Sequence, residues 1–323
     1  MSSDNSIENA HIERLFKTLL LIRRTEERVA AVYPTDCIKS PVHLSIGQEA
    51  VAVGVCDVLQ PADIVAMSYR GHAAYIAKGG DLRQMIAELY GKVTGCARGK
   101  GGSMHLVAPD AGVLGASAVV GTQIPVATGW ALAAKRSASG QIVACFFGDG
   151  ATEEGCLSES LNFAALHRLP ILYICENNGY AIHEPLSKRW ATTRLCERVA
   201  TYGITTCRIE DQDVLAIREA ALSAVQAIRE GAGPRFIECL TYRWRGHVGP
   251  REDYDSGYRG LDELRPWQES DQVERLAGML PLESLHRISK EVAAQIDDAF
   301  EFAEASSPPD EAELLRHIYA SRA

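Results

Sequence analysis

Asp149, held between Gly148 and Gly150, and Asn178, preceded by Asn177, are the residues of this chain whose types and spacing best suit chemistry. Twenty-six residues separate the GDG triplet from the NN pair. Each group directly follows an apolar run that reads as a strand. A carboxylate and a carboxamide are hard oxygen donors and suit Mg²⁺ or Ca²⁺. The carbonyl of Tyr180 is a third candidate ligand. Gly150 and Ala151 would present backbone N–H groups at the start of a helix, where the dipole favours a diphosphate. Arg70, after Tyr69, could meet the same anion with its forked guanidinium. The plainer alternative makes Asp149 a helix cap and Asn177-Asn178 a turn, both common roles. Their placement at consecutive strand ends, with an arginine at a third, favours a site.

The elements that would hold these residues can be read from periodicity. Ile12 to Val32 has helical spacing, with Leu15, Leu19 and Ile22 on one face. A second helix is expected from Gln48 to Leu59, a short strand over Ile64–Ser68, and a helix over 81–91. The segment from Gly95 to Gly121 is rich in glycine and small side chains and reads as loop. An alanine-rich helix follows over Val126–Arg136. Apolar strands are expected at Ile142–Phe147, Ile171–Cys175 and Phe236–Leu240, with helices at 151–167 and 212–230. Strands alternating with helices predict a three-layer α/β domain with a parallel sheet. Such sheets bind ligands at the carboxyl ends of their strands. Arg243 to Arg259 is polar and glycine-containing, as in a functional or mobile loop. A late helix over 283–305 and a short terminal helix after Pro308-Pro309 complete the pattern. The expected division is an N-terminal helical extension (1–60), the α/β domain (61–260) and a C-terminal helical arm (261–323).

The 323 residues are 46% hydrophobic and 23% charged, as in an ordinary globular protein. A net charge of −9 argues against nucleic acid as partner. No apolar run approaches the ~18 residues that span a bilayer. The first residues, MSSDNSIENAHIER, lack the apolar core of a secretory signal and the acid-poor character of a transit peptide. Nine scattered cysteines form no C-x-x-C pair and fit a reducing compartment, so a cytoplasmic protein is expected.

The GDG and NN groups at this spacing resemble the thiamine diphosphate motif. Around them the chain resembles the alpha subunit of the first component of 2-oxo acid dehydrogenases, the family of pyruvate, branched-chain and acetoin dehydrogenases. The likeness runs through HLSIGQEA (43–50), YRGHA (69–73), GKGGSMH (99–105), TQIPVATG (122–129), GDGATEEG (148–155), ENNGYAI (176–182) and TYRWRGH (241–247). It implies Mg²⁺ on Asp149, Asn178 and the Tyr180 carbonyl. It implies the diphosphate of thiamine diphosphate on Tyr69, Arg70, Gly150 and Ala151, and the aminopyrimidine against the backbone of Ala118 and Val120. His247 matches a loop histidine near the diphosphate and substrate channel, and His43 one near substrate. A solvated loop histidine is the alternative for His247. Three nearby cations, Arg243, Arg245 and Arg251, would keep it neutral. His72 and His105 read as structural.

Two positions depart from the pyruvate type. Ser117 stands where those relatives have histidine; the branched-chain type also has serine there. Val248 stands where mitochondrial relatives have a phosphorylated serine, so that switch is absent here. The resemblance also implies a separate beta chain supplying the glutamate that hydrogen-bonds the aminopyrimidine, two alpha and two beta chains together, and a lipoyl acyltransferase receiving the acyl unit of a 2-oxo acid. The rivals are a carboligase or lyase subunit without a lipoyl partner, a non-catalytic scaffold subunit, and a nucleotide-binding module. The chain shows neither Gly-x-Gly-x-x-Gly after a first strand nor a P-loop.

Overall fold

The computed structural model describes residues 2–316; the end of the expected terminal helix lies outside them. The elements are α1 (Ser2–Val32), α2 (Glu49–Cys56), β1 (Ile64–Ser68), α3 (His72–Ala77), α4 (Leu82–Leu89), β2 (Val113–Ser117), α5 (Gln123–Ser137), β3 (Val143–Gly148), α6 (Gly155–Leu166) and β4 (Ile171–Asn177). A small hairpin, β5 (Tyr180–Ala181) and β6 (Glu184–Pro185), leads to α7 (Leu186–Arg189) and α8 (Leu195–Ala200). Then come β7 (Thr205–Ile209), α9 (Val214–Arg229), β8 (Arg235–Leu240), α10 (Leu261–Glu269), α11 (Gln272–Ala277) and α12 (Leu282–Ala305), followed by a 3₁₀ turn over Glu311–Leu315.

Six strands form one parallel sheet in the order β2-β1-β3-β4-β8-β7. Period-two alternation decides which side chains meet which helix layer. Ala144 and Phe146 of β3 join the core formed with α1, α2, α4, α9 and α12. Val143, Cys145 and Phe147 face the core formed with α5, α6 and α8. Every residue of β4 is buried, as a central strand covered on both faces should be. Leu15, Leu19 and Ile22 of α1 are 1%, 0% and 0% exposed, and burial of each contributes about 1.5–3 kcal/mol. The first and last long helices therefore share a core with the sheet.

Three expectations need correction. The 95–121 segment contains β2, which its Gly115-Ala116-Ser117 end disguises; pairing with β1 makes it a strand. The edge strand β7 carries too few apolar residues for its alternation to show, and α3, apolar but only six residues long, is too short to show a helical period. The helix expected at 151–167 is broken: Asp149–Glu153 is a 3₁₀ turn and α6 begins at Gly155. The Thr152 hydroxyl donates to the Asp149 carbonyl at 2.7 Å, the kind of local bond that competes with an α-helical first turn.

The rest of the glycine-rich segment is ordered by one buried carboxylate. Glu88 accepts N–H bonds from Ala97, Gly99, Gly101 and Gly102 at 2.7–3.0 Å. His72, fully buried, bonds Glu26 and Ser103 at 3.0 and 2.7 Å and so has the structural role expected of it. His105 is exposed on the same segment.

Candidate active site

The chain leaves β1 toward the β2 edge and leaves β3 toward β4 on the other side. That change of direction opens a crevice at the carboxyl ends, where ligands of α/β sheets bind. A cavity of about 270 Å³ lies there. Tyr69 and Arg70 enter it from the end of β1, and Asp149, Gly150 and Ala151 from the end of β3. Asn178 enters from β4, Tyr180 from β5, Val120 from the turn after β2, and His247 from the long loop after β8. Nine sequence-selected residues thus share one cavity. Ala118 lies beside it without lining it. His43 packs behind it, its ring 4.6 Å from Tyr69 and 5.1 Å from His247.

Asp149 is 1% exposed. Its Oδ2 is held by the Arg189 guanidinium, while Oδ1 is buried with no hydrogen-bond partner. Burial pushes this carboxyl above its ordinary range, and Arg189 opposes that shift. Asp149 is not a helix cap: its side chain meets Arg189 rather than the turn's N–H groups. The Asn177-Asn178 alternative is partly realised. Asn177 Oδ1 accepts from Gly179 N at 3.0 Å and Asn178 Oδ1 from Tyr180 N at 3.2 Å. An amide oxygen has a second lone pair, so the turn leaves Asn178 able to ligate. Gln48 accepts from Asn178 Nδ2 at 3.0 Å, which orients the amide with its oxygen away from Gln48. An orphaned carboxylate oxygen beside an oriented amide oxygen fits a hard divalent cation.

The 3₁₀ turn, rather than the first turn of α6, supplies the N–H groups of Gly150 and Ala151. A Cβ on Gly150 would sit 3.0 Å from the Ala181 methyl, so glycine keeps this corner open. Arg70 is anchored by the carbonyls of Leu44 at 2.6 Å and His247 at 3.1 Å. Its guanidinium is thus fixed by the chain's own carbonyls and keeps further N–H bonds that could meet an anion.

The loop carrying His247 is tied down by backbone and ionic contacts. Trp244 N donates to Ile46 O at 3.0 Å and Gly249 N to Val42 O at 2.8 Å. Gly47 permits this approach: its φ is +95°, and a Cβ there would meet the Tyr242 carbonyl at 2.5 Å. Asp253 gathers Arg259 at 2.8 Å, Arg243 at 3.3 Å and the Tyr258 hydroxyl. Asp253→Ala should leave two buried arginines without their shared partner. Limited proteolysis within 243–259 should speed up, and the chain should lose about 3–5 kcal/mol in denaturant unfolding.

Burial, then Arg70 and Arg243, push the His247 imidazole down to about 3. The neutral state expected from the sequence is therefore right, with Arg70 acting in place of Arg245 and Arg251. Arg245 instead pairs with Glu252 at 3.1 Å, and Arg251 is exposed. Burial, Arg70 and His247 push His43 down to about 3 as well. Both rings are neutral near pH 7.

Sequence reasoning missed Gln48, Glu176, Glu153 and Arg189. The first three stand inside the quoted HLSIGQEA, ENNGYAI and GDGATEEG segments; the last has no motif around it. Burial raises Glu176 to about 7 against the pull of Arg70. A carboxyl raised in the folded state ionises first in the unfolded chain, so stability is lost as pH rises from its ordinary 4.5 toward 7. Glu176→Gln should raise stability by up to about 3 kcal/mol at pH 8 and change little at pH 4, measured by denaturant unfolding.

The family model "Dehydrogenase E1 component" matches residues 17–312. The chain is 38% identical over 312 residues to the alpha subunit of acetoin:2,6-dichlorophenolindophenol oxidoreductase from Bacillus subtilis, covering 95% of this chain and 93% of that one. It is 37% identical over 314 residues to the pyruvate dehydrogenase E1 component subunit alpha of Zymomonas mobilis, covering 95% and 88%. The corresponding Rhizobium meliloti subunit is 37% identical over 312 residues, covering 94% and 89%. Sheet, crevice and matched length agree: the chain belongs to the dehydrogenase E1 component family, as an alpha subunit of a thiamine diphosphate-dependent 2-oxo acid dehydrogenase.

Proposed function

We propose that this chain holds the diphosphate end of thiamine diphosphate through Mg²⁺ and decarboxylates a short 2-oxo acid, or cleaves acetoin, together with a beta chain. The observation that carries the metal assignment is the buried, unpartnered Asp149 Oδ1. Asp149, Asn178 and the Tyr180 carbonyl would ligate Mg²⁺; Tyr69, Arg70, Gly150 and Ala151 would hold the phosphates; Ala118 and Val120 would meet the aminopyrimidine with their backbone. Bound thiamine diphosphate supplies a nucleophilic carbon and a sink for the electrons left by departing CO₂. The chain's residues do the rest. Arg70 neutralises phosphate charge from a fixed position. His247, neutral and lining the cavity, would offer a hydrogen bond to an anionic substrate without titrating near pH 7, and His43, neutral behind it, would act through the Tyr69 and His247 rings it packs against. The ordered loop shields the site from water.

No glutamate of this chain is proposed to meet the aminopyrimidine. The partner beta chain would supply it, in an assembly of two alpha and two beta chains. Val119 and Val120 are 63% and 42% exposed at the cavity rim, and Trp130, Phe163 and Leu166 are exposed on neighbouring α5 and α6, which supports a covering partner. We place the enzyme in the cytoplasm, where its nine free thiols would stay reduced. Among the described residues no helix is long and apolar enough to cross a membrane. The acyl unit would pass to a lipoyl acyltransferase. Assembly with a candidate beta chain, followed by assays of lipoamide acylation and acyloin formation on 2-oxo acids and acetoin, tests this reading. Acylation supports the dehydrogenase role; acyloin formation alone replaces it with the carboligase.

A further inference from the structure

We propose that Arg189 is a positioning residue of the metal–diphosphate site. It grips Asp149 by one carboxylate oxygen and so presents the other to the metal. The inference rests on the Mg²⁺ reading above.

Arg189 lies outside the GDG and NN groups, at the end of α7, eleven residues beyond Asn178. Its side chain is only 6% exposed, unusual for an arginine on a short surface helix. All three guanidinium nitrogens are engaged. Nη2 meets Asp149 Oδ2, Nη1 meets Glu153 Oε1, and Nε donates to the Glu184 carbonyl at 3.0 Å. Asp149 and Glu153 open and close the 3₁₀ turn that carries Gly150 and Ala151. One planar cation therefore clamps both ends of the phosphate-facing turn to the β5–β6 hairpin.

The same segment carries the third candidate ligand. Tyr180 starts β5, and Leu186 N donates to Gly179 O at 2.8 Å, drawing α7 back toward the ligand loop. Trp190, next to Arg189, lies under the Arg198 guanidinium at 3.6 Å, and Arg198 Nη2 reaches Thr152 O at 3.4 Å. The turn is thus held from two directions by arginines of the 186–198 segment.

Charge and geometry both assign Arg189 to support the metal. Asp149 is buried, and a buried carboxylate without a partner is costly. With Oδ2 held, Oδ1 is the carboxylate oxygen left without a hydrogen-bond partner, on a residue that lines the cavity. A partner that orients a ligating carboxylate typically changes metal affinity 10–100-fold. Glu153 shares the guanidinium charge, which limits repulsion between Arg189 and a divalent cation on the far oxygen.

Mn²⁺ binding to the alpha–beta assembly, read by electron paramagnetic resonance with thiamine diphosphate present, tests this. Arg189→Gln should weaken Mn²⁺ binding about 10–100-fold. Its kcat should recover at saturating metal and cofactor, which a general folding defect would not allow. Arg189→Lys should fall between, because an ammonium can hold Asp149 but not match the fork on Glu153. Wild-type affinity in Arg189→Gln, or in Arg189→Lys should the glutamine variant not fold, overturns the inference. Tighter binding also overturns it and makes Arg189 a competitor of the metal. Asp149→Ala in the same assay separates the two readings. If Mn²⁺ still binds to that variant, the metal assignment itself fails; if binding is lost there yet normal in Arg189→Gln, only the role of Arg189 fails.

Discussion

Asp149→Ala in the alpha–beta assembly is expected to abolish Mg²⁺-dependent binding of thiamine diphosphate. The affinity should fall on the order of 100-fold or more, the upper end of what loss of a mere supporting partner costs a metal site. The reason is structural. Oδ1 of Asp149 is a buried acceptor with nothing to accept from, on a residue at the carboxyl end of β3 that lines the cavity. A cation there would satisfy it and bring the phosphates to the N–H groups of Gly150 and Ala151. Titration calorimetry with and without chelator reads the effect. Asp149→Asn keeps the shape and the bond to Arg189 while removing the charge, and it should weaken binding in the same direction. Cofactor affinity equal to wild type in both variants, with its Mg²⁺ dependence intact, would refute the metal assignment.

His247→Ala is expected to lower kcat by about 100-fold, within the range for a hydrogen-bonding or proton-transferring group at the reacting atoms. Cofactor affinity should change far less, because Arg70 and the 3₁₀ turn, not His247, are the groups proposed to hold the phosphates. Arg70 is the link between the two effects. It donates to the His247 carbonyl at 3.1 Å, and its charge adds to burial in keeping the His247 ring neutral. With His247 pushed down to about 3, its loss should leave the acid limb of the kcat–pH profile between pH 5 and 8 where it was. Steady-state assays with several 2-oxo acids across that range check both statements. Wild-type turnover with every substrate would remove His247 from the reaction.

The parallel sheet and most of its helices were legible because buried strands contain continuous apolar runs such as Ile171–Cys175, with Pro170 before it and Gly179 soon after. β2 was not, since Val113–Ser117 owes its strand conformation to β1 rather than to its own composition. Asp149, Asn178 and Arg70 were legible because each follows an apolar run and carries a group with few uses there other than capping or ligation. Arg189 was not, because its role depends on a hairpin that folds it back across forty residues onto Asp149. Gln48 was hidden likewise: Gln48 and Asn178 are 130 residues apart, and only the fold brings them together. The pKa of His247 was read in the right direction and Arg243 does contribute, but burial and Arg70 do more than the named neighbours. Sequence neighbours Arg245 and Arg251 turn outward, whereas Arg70, distant in sequence, lies close in space.

The central claim is that this chain carries the diphosphate half of an active site whose pyrimidine-activating half lies on a beta chain. CO₂ release from 2-oxo acids by the purified chain, with thiamine diphosphate and Mg²⁺ and then with added beta chain, tests it most directly. No release by the chain alone and turnover once the beta chain is added is the predicted result. Steady CO₂ release by the lone chain would contradict it.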